Sequence, residues 1–306
     1  MYDVIVIGAG PAGMTAALYA ARTNLKVLLL EQGAPGGQMN NTAIIENYPG
    51  FFSIKGPELA NKMYAPLVNF GVENRYGVVV EVKNLAKYKV VITEDNEYQT
   101  KTVVIATGAS HRLLGIRGEL DYGGLGVSYC AVCDGPFFRD KVLVVVGGGD
   151  SAIEEAVYLT RFASKVMIVH RRESLRAQKI IQERAFANPK ISFFWNCIVD
   201  EIEGDDHLVT GVRLKDIKTG KYMEINCSGV FIYVGLYPMT APFINLKIMD
   251  DSGWILTDEE MRTKIPGIFA IGDVRKKMLR QITTSVGEGG IAGQQVYLYL
   301  QDKKEV

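Results

Sequence analysis

Residues 2–13 read YDVIVIGAGPAG: a short β-branched run, consistent with a buried strand, passes without a break into a glycine-rich turn. An Ala/Met/Leu-rich segment from Met14 to Arg22 follows as a helix, and KVLLLE, Lys26 to Glu31, as a second strand. Together they form a βαβ unit. Gly8, Gly10 and Gly13 fit GxGxxG. In that pattern the first glycine makes the tight turn, the second lets a pyrophosphate approach the backbone, and the third lets helix and strand pack. The anion would sit at the helix N-terminus, where unpaired N–H groups and the helix dipole favour it. Glu31, ending the next strand, is placed to accept hydrogen bonds from a ribose 2′-hydroxyl, so this site should prefer an adenosine with a free 2′-hydroxyl, such as that of FAD.

The same device recurs. KVLVVV (Lys141 to Val146) is the strand, GGGDSA the turn, IEEAVYLTRFA the helix and KVMIV (Lys165 to Val169) the next strand. Here Gly147, Gly149 and Ala152 fit GxGxxA. His170 stands 23 residues after Gly147, as Glu31 stands 23 residues after Gly8, and Arg171, Arg172 and Arg176 follow it. A carboxylate at this place would repel a 2′-phosphate, whereas guanidinium groups bind one through charge-assisted bidentate hydrogen bonds, so the second site should prefer NADP. The arginines could otherwise be a solvated helix start, and His170 could equally be a structural residue at the strand edge.

A third feature belongs with the first turn. Ile271-Gly272-Asp273 ends a strand, and a helix is expected from about Glu288 to Leu300, with Gly287, Gly289 and Gly290 near its start. A strand-end carboxylate can hold the hydroxyls of a ribityl chain, and a helix N-terminus near the flavin pyrimidine would stabilise an anionic reduced ring.

In 306 residues, 34 Lys and Arg balance 34 Asp and Glu, so there is no global basic field for nucleic acid or acidic lipid, and any binding is local. No apolar run is long enough for a membrane span and no basic n-region of a signal peptide is present, which makes a soluble cytoplasmic protein the expectation. Four cysteines are too few for a disulfide scaffold. Two of them form Cys130-Ala131-Val132-Cys133. Read as a metal half-site the pair lacks partners, because there is no second CxxC and His111, His170 and His207 are scattered; no metal is expected. A lone CxxC between two nucleotide modules is better read as a cycling disulfide. Asp134 follows directly, and a partly desolvated carboxyl there would suit general acid-base work; the alternative reading is an Asp that begins a turn in CDG.

GAGPAG, GGQ (Gly36 to Gln38), ENYPG (Glu46 to Gly50), ATG (Ala106 to Gly108), CAVCDG, GGGDSA, HRRESLR and GIFAIGDV followed by Arg280-Gln281 occur in that order. With this ordered set the chain resembles the low-molecular-weight thioredoxin reductases over essentially its whole length. The larger glutathione-reductase class has its redox pair soon after the first fingerprint, where this chain has GGQMNN and no cysteine.

The resemblance implies two Rossmann-like three-layer α/β dinucleotide-binding domains, the second inserted into the first. Residues 1–112 and 242–306 would form the FAD domain and residues 113–241 the NADPH domain carrying the dithiol. It also implies a homodimer and hydride flow from NADPH through FAD to the disulfide, followed by exchange with thioredoxin. Carried over by position, Cys133 would face the flavin, Cys130 would attack the thioredoxin disulfide and Asp134 would supply the proton. FAD contacts would come from Gly8, Gly10, Gly13, Glu31, Gln38, Asn47, Gly272, Asp273, Arg280 and Gln281, and NADPH contacts from Gly149, Asp150, Ser151, His170, Arg171, Arg172 and Arg176. Family members rotate the NADPH domain between two states, which implies hinges near Leu113 to Glu119 and Gly235 to Pro242. In these linkers Arg117 replaces a common proline and Met239 a common asparagine. Other readings are a related flavoprotein reductase serving another thioredoxin-like or peroxiredoxin-system acceptor, and an FAD-holding redox sensor without turnover.

Overall fold

The computed structural model describes residues 1–42 and 44–303. In chain order the first part holds β1 (Tyr2–Ile7), α1 (Pro11–Arg22), β2 (Val27–Glu31), α2 (Gly56–Asn69), β3 (Glu73–Tyr76), β4 (Val79–Asn84), β5 (Lys89–Thr93) and β6 (Glu97–Ile105). After β7 (Ala109–His111) come β8 (Val127–Ser128), α3 (Ala131–Asp134), β9 (Val142–Gly147), α4 (Asp150–Leu159), β10 (Lys165–His170) and α5 (Lys179–Phe186). Then follow β11 (Ile191–Trp195), β12 (Cys197–Gly204), β13 (Val209–Asp216), β14 (Tyr222–Asn226) and β15 (Gly229–Tyr233). The chain returns through β16 (Leu236–Pro238) and ends in β17 (Ile268–Ala270) and α6 (Ile282–Asp302). Two compact units result: Met1–Ser110 with Tyr237–Val306, and the inserted His111–Leu236. These boundaries lie a few residues before those read from the sequence, at the paired strands β7 and β16.

The first unit is built on one sheet, in the order β3-β2-β1-β6-β5-β4. β1 pairs in parallel with both β2 and β6, while β5 runs antiparallel to the first half of β6 and β17 parallel to its last residues. A central strand buried on both faces must be apolar at every position rather than at alternate ones. β1 shows this: Val4 and Val6 pack beneath α1 and α6, and Ile5 and Ile7 pack beneath Phe243, Leu246 and Ile255 of the returning segment. In the second unit the parallel sheet runs β11-β10-β9-β15-β8. Its Leu143 and Val145 face α4, and its Val144 and Val146 face the antiparallel sheet β12-β13-β14. Both units are thus α/β with a parallel central sheet.

Helix α6 begins at Ile282, six residues before the expected start. Its glycines suggested a helix start because glycine weakens a helix interior by roughly 1 kcal/mol. They lie inside the helix for a packing reason. A β-carbon on Gly289 would meet the Ala12 carbonyl oxygen at 2.5 Å, and one on Gly293 would meet the Tyr19 β-carbon at 2.5 Å. Glycine here lets α6 lie directly on α1. The true start is set by a capping box, in which the Gln281 side chain accepts from the Thr284 backbone and the Thr284 side chain accepts from the Gln281 N–H.

Within the second unit the segment 113–119 is not loose. The buried Glu119 carboxylate accepts from the Leu114 N–H at 2.9 Å, the Gly115 N–H at 2.8 Å and the Tyr129 hydroxyl at 2.8 Å. Arg117 pairs with Glu201 at 3.1 Å. Met239 accepts from the Thr107 hydroxyl at 2.7 Å within the first unit. These bonds tie 113–119 into the second unit and Met239 into the first.

One buried charge works against the fold. Lys89, at the start of β5, is 5% exposed, and burial, reinforced by nearby Lys303, lowers its pKa to about 8. A lysine whose folded pKa lies below its unfolded one costs stability fully below the folded pKa, and the cost fades as pH rises toward the unfolded pKa near 10.5. Lys89→Met is therefore expected to raise the unfolding free energy at pH 7 by up to about 3 kcal/mol. In denaturant titrations that gain should shrink toward zero by pH 10.5; a gain equal at both pH values would remove charge burial as its cause.

Candidate functional site

At the first turn the three glycines divide by cause. A β-carbon at Gly13 would lie 1.8 Å from the Gly8 carbonyl oxygen, and one at Gly8, where φ is +102°, would lie 2.4 Å from the Ala106 oxygen. Packing excludes side chains at both. At Gly10 a β-carbon would meet nothing within 4 Å, so packing does not account for this glycine; the open space above it suits a pyrophosphate. The Glu31 carboxylate accepts from the Ala9 N–H at 2.7 Å and the Gly33 N–H at 2.9 Å, which fixes it beside the turn. Each oxygen keeps a further lone pair for a ribose.

Other segments converge on this turn. The Gly36 N–H donates to the Ala9 carbonyl at 2.8 Å, bringing the loop that carries Gln38 against the first turn. Gly272, with φ at +73°, lies close to Ala12, and its N–H donates to Glu288 at 2.6 Å. Asp273 Oδ1 is buried without a hydrogen bond and lies 3.4 Å from Lys277 Nζ, and burial raises the pKa of this carboxyl. A buried carboxyl oxygen held by nothing closer than this long ion pair is what a ribityl hydroxyl would satisfy. Arg280 stacks over Trp254 at 3.9 Å and donates to the Asp273 carbonyl at 3.3 Å. Asn47, far away in sequence, donates to the Gln281 side chain at 3.0 Å.

The second turn repeats this division. A β-carbon at Gly147 would meet Ala152 at 2.6 Å, whereas at Gly149 it would meet nothing within 4 Å. The neighbouring Gly148 is required by His170, whose ring would lie 2.3 Å from a β-carbon there. His170 is buried, hydrogen-bonded through Nε2 to the Ser174 carbonyl at 3.1 Å, and burial lowers its pKa. Its ring supports the turn from within. The Asp150 carboxylate is engaged by Gln178, from its N–H at 2.7 Å and its side-chain amide at 3.2 Å, and ties the starts of α4 and α5 together. Ser151, Arg171, Arg172 and Arg176 are exposed. Among the described residues none of these three guanidinium groups is in an ion pair, so their charge is available to a phosphate.

The dithiol lies in the same unit. Cys130 and Cys133 form a disulfide with α-carbons 5.3 Å apart, Cys130 capping the short helix α3 that holds Cys133 and Asp134. The Cys133 N–H lies 3.2 Å from Cys130 Sγ and donates to it. The half-buried Asp134 carboxyl accepts from the Ser128 hydroxyl at 2.6 Å. Burial raises its pKa and the Ser128 bond partly opposes that shift. Tyr233, ending β15, accepts the Ala131 N–H at 2.7 Å. Its carbonyl flanks Gly147, so one strand end links the second turn to the dithiol helix.

Residues 2–289 match the model of the pyridine nucleotide-disulphide oxidoreductase family. The thioredoxin reductase of Listeria monocytogenes is 56% identical over 305 residues, covering 100% of this chain and 96% of that protein. The chain belongs to the thioredoxin reductase family.

Two solved family members extend the match. The thioredoxin reductase of Streptococcus pyogenes is 63% identical, with 99% of each chain covered and a TM-score of 0.97. That of Lactococcus lactis, described as in its FR conformation, is 58% identical, covers 99% of this chain and 100% of that one, and has a TM-score of 0.69. The chain is accordingly an oxidoreductase of this family. Its remaining cysteines are buried, and burial pushes the Cys227 thiol up to about 12, which leaves it inert at neutral pH. Among the described residues no helix is long and apolar enough to cross a membrane, and no group of three His, Cys, Asp or Glu side chains is disposed to hold a metal ion.

Sequence reasoning did not single out Ser128, Tyr233 or Glu288. Tyr233 carried a usable signal, because it closes a parallel strand at the carboxyl edge where α/β sheets bind ligands. Glu288 had none. It is a buried carboxylate that meets Gly272, Arg275 at 2.9 Å and Lys277 at 3.3 Å only because α6 returns over the first turn.

Proposed function

We propose that the chain is an NADPH-dependent, FAD-containing thioredoxin-disulfide reductase working as a cytoplasmic homodimer. The observation that carries this reading is the Cys130–Cys133 disulfide, with Asp134 beside it, in the unit that also presents Arg171, Arg172 and Arg176 beside its dinucleotide turn. FAD, when bound, would supply the centre that accepts hydride from the nicotinamide and delivers electrons to the disulfide. Gly8, Gly10, Gly13, Glu31, Gln38, Asn47, Gly272, Asp273, Arg280 and Gln281 would hold it. Gly149, Asp150, Ser151 and the three arginines would hold NADPH, with His170 acting through the turn it supports.

In the exchange step, the Cys130 thiolate attacks the acceptor disulfide. The Cys130–acceptor bond forms, the acceptor's own S–S bond breaks, and the leaving sulfur takes the electron pair and the proton carried by Asp134. The Cys133 thiolate then attacks Cys130 Sγ, the Cys130–acceptor bond breaks, the internal disulfide is restored, and the second acceptor sulfur leaves as a thiolate that takes its proton from solvent. Two states of one molecule, one for each task of the second unit, are supported by the Lactococcus lactis relative, whose structure is described as one named conformation, FR.

A thioredoxin-coupled assay on the fully flavinated protein tests this reading. The expected result is a yellow protein that reduces thioredoxin with NADPH far more efficiently than with NADH. Absence of steady-state turnover with any protein disulfide would overturn it and favour a sensor.

A further inference from the structure

Ser128 lies outside the CxxCD motif, on the two-residue strand β8, and is 5% exposed. Its hydroxyl makes two short contacts that constrain each other. It lies 3.1 Å from the Cys130 backbone nitrogen, which can only donate, so the oxygen accepts there. The hydroxyl hydrogen must then point elsewhere, and Asp134 Oδ2 lies at 2.6 Å. The alternative acceptor, the Cys130 carbonyl, lies at 3.4 Å. Among the described residues, no other hydrogen bond reaches the Asp134 carboxyl.

We propose that Ser128 is the positioning residue of the proton-transfer step: its hydroxyl grips Oδ2 of Asp134 and the Cys130 N–H together, and thereby confines the transferable proton to Oδ1. A proton on Oδ2 would force the serine hydrogen onto the carbonyl at 3.4 Å, a weaker bond, whereas a proton on Oδ1 keeps the 2.6 Å contact intact. When the acceptor disulfide opens, its leaving sulfur takes the Oδ1 proton. The carboxylate left behind keeps the serine donor, which favours the charged form. The inference rests on the assignment of Asp134 as the acid.

From β15, the Tyr233 phenol feels both Asp134 and Glu155 of α4. Both neighbours from other elements are acidic, and burial raises the pKa of each. The serine is thus the group that holds the Asp134 pKa down against burial.

The test uses the full-length flavoprotein, pre-reduced and mixed rapidly with two disulfides across pH. Oxidised thioredoxin releases an alkyl thiolate that needs a proton; 5,5′-dithiobis(2-nitrobenzoate) releases an aromatic thiolate of low pKa that does not. Ser128→Ala is expected to slow exchange with thioredoxin about tenfold, and to move the fall of rate at high pH upward by about half a unit to one unit. Loss of the donor raises the Asp134 pKa, and the acid form is the active one, which gives that sign. Exchange with the aromatic disulfide should stay within about twofold, and Ser128→Thr should restore thioredoxin exchange. Equal slowing with both disulfides, or an unmoved pH profile while Asp134→Asn is slow, would overturn the role of Ser128. An Asp134→Asn variant as fast as wild type would instead overturn the acid assignment beneath it.

Discussion

Cys130→Ser is expected to abolish turnover with a protein disulfide, by about a thousandfold or more, while bleaching of the flavin by NADPH stays within about twofold. The remaining Cys133 can form a mixed disulfide but has no neighbouring sulfur to resolve it, so no acceptor dithiol is released. The two sulfurs differ in their surroundings. Cys130 caps α3 and its sulfur accepts the Cys133 N–H at 3.2 Å, an arrangement that favours a thiolate at Cys130 once the bond is reduced. The measurement is steady-state thioredoxin reduction alongside anaerobic flavin absorbance. Turnover retained in the variant would remove Cys130 from the route, whereas loss of bleaching as well would point to a damaged nucleotide site rather than a broken exchange step.

The second large effect is on nucleotide choice. Arg171→Ala, Arg172→Ala and Arg176→Ala combined are expected to raise the KM for NADPH about a thousandfold and to leave that for NADH nearly unchanged, so that the preference collapses. A hydrogen bond to a charged group contributes roughly 1.5–3 kcal/mol net, and exposure and salt reduce this toward tenfold for each arginine. The three guanidinium groups have no carboxylate partner among the described residues, so their removal leaves no buried charge unpaired and the fold should be unaffected. kcat/KM for both nucleotides, with the flavin spectrum as a check on cofactor retention, decides the matter. NADPH selectivity surviving the triple change would place the 2′-phosphate elsewhere. A preference in the parent protein that weakens as salt is raised would independently mark the contact as electrostatic.

His170 shows how a spacing argument can find the right place and leave the role open. Its position relative to Gly147 marks the end of β10 correctly, yet its ring turns inward beneath Gly148 instead of joining the exposed arginines. Asp150 is similar, since its carboxylate is taken up by Gln178. In both cases a one-dimensional register identifies which residue stands at the turn, but the direction of the side chain depends on what packs against it. The glycines of α6 make the same point in reverse: their low helix propensity is real, but the close approach of α1 outweighs it.

Sequence alone was enough for the two βαβ turns, the order of the motifs and the position of the dithiol. Each depends on periodicity or backbone sterics within some twenty-five residues, which the chain carries wherever it folds. The tertiary structure decided which groups complete those motifs. Glu288 reaches Gly272 because a helix returns over the first turn, Tyr233 reaches Ala131 from a strand about a hundred residues on, and Asn47 meets Gln281 across the unit. Ser128 lies near Asp134 in sequence, but its contact exists because β8 is held at the sheet edge by β15 and α3 turns back against it. These pairings have no period to read, because they arise from distances that only packing sets.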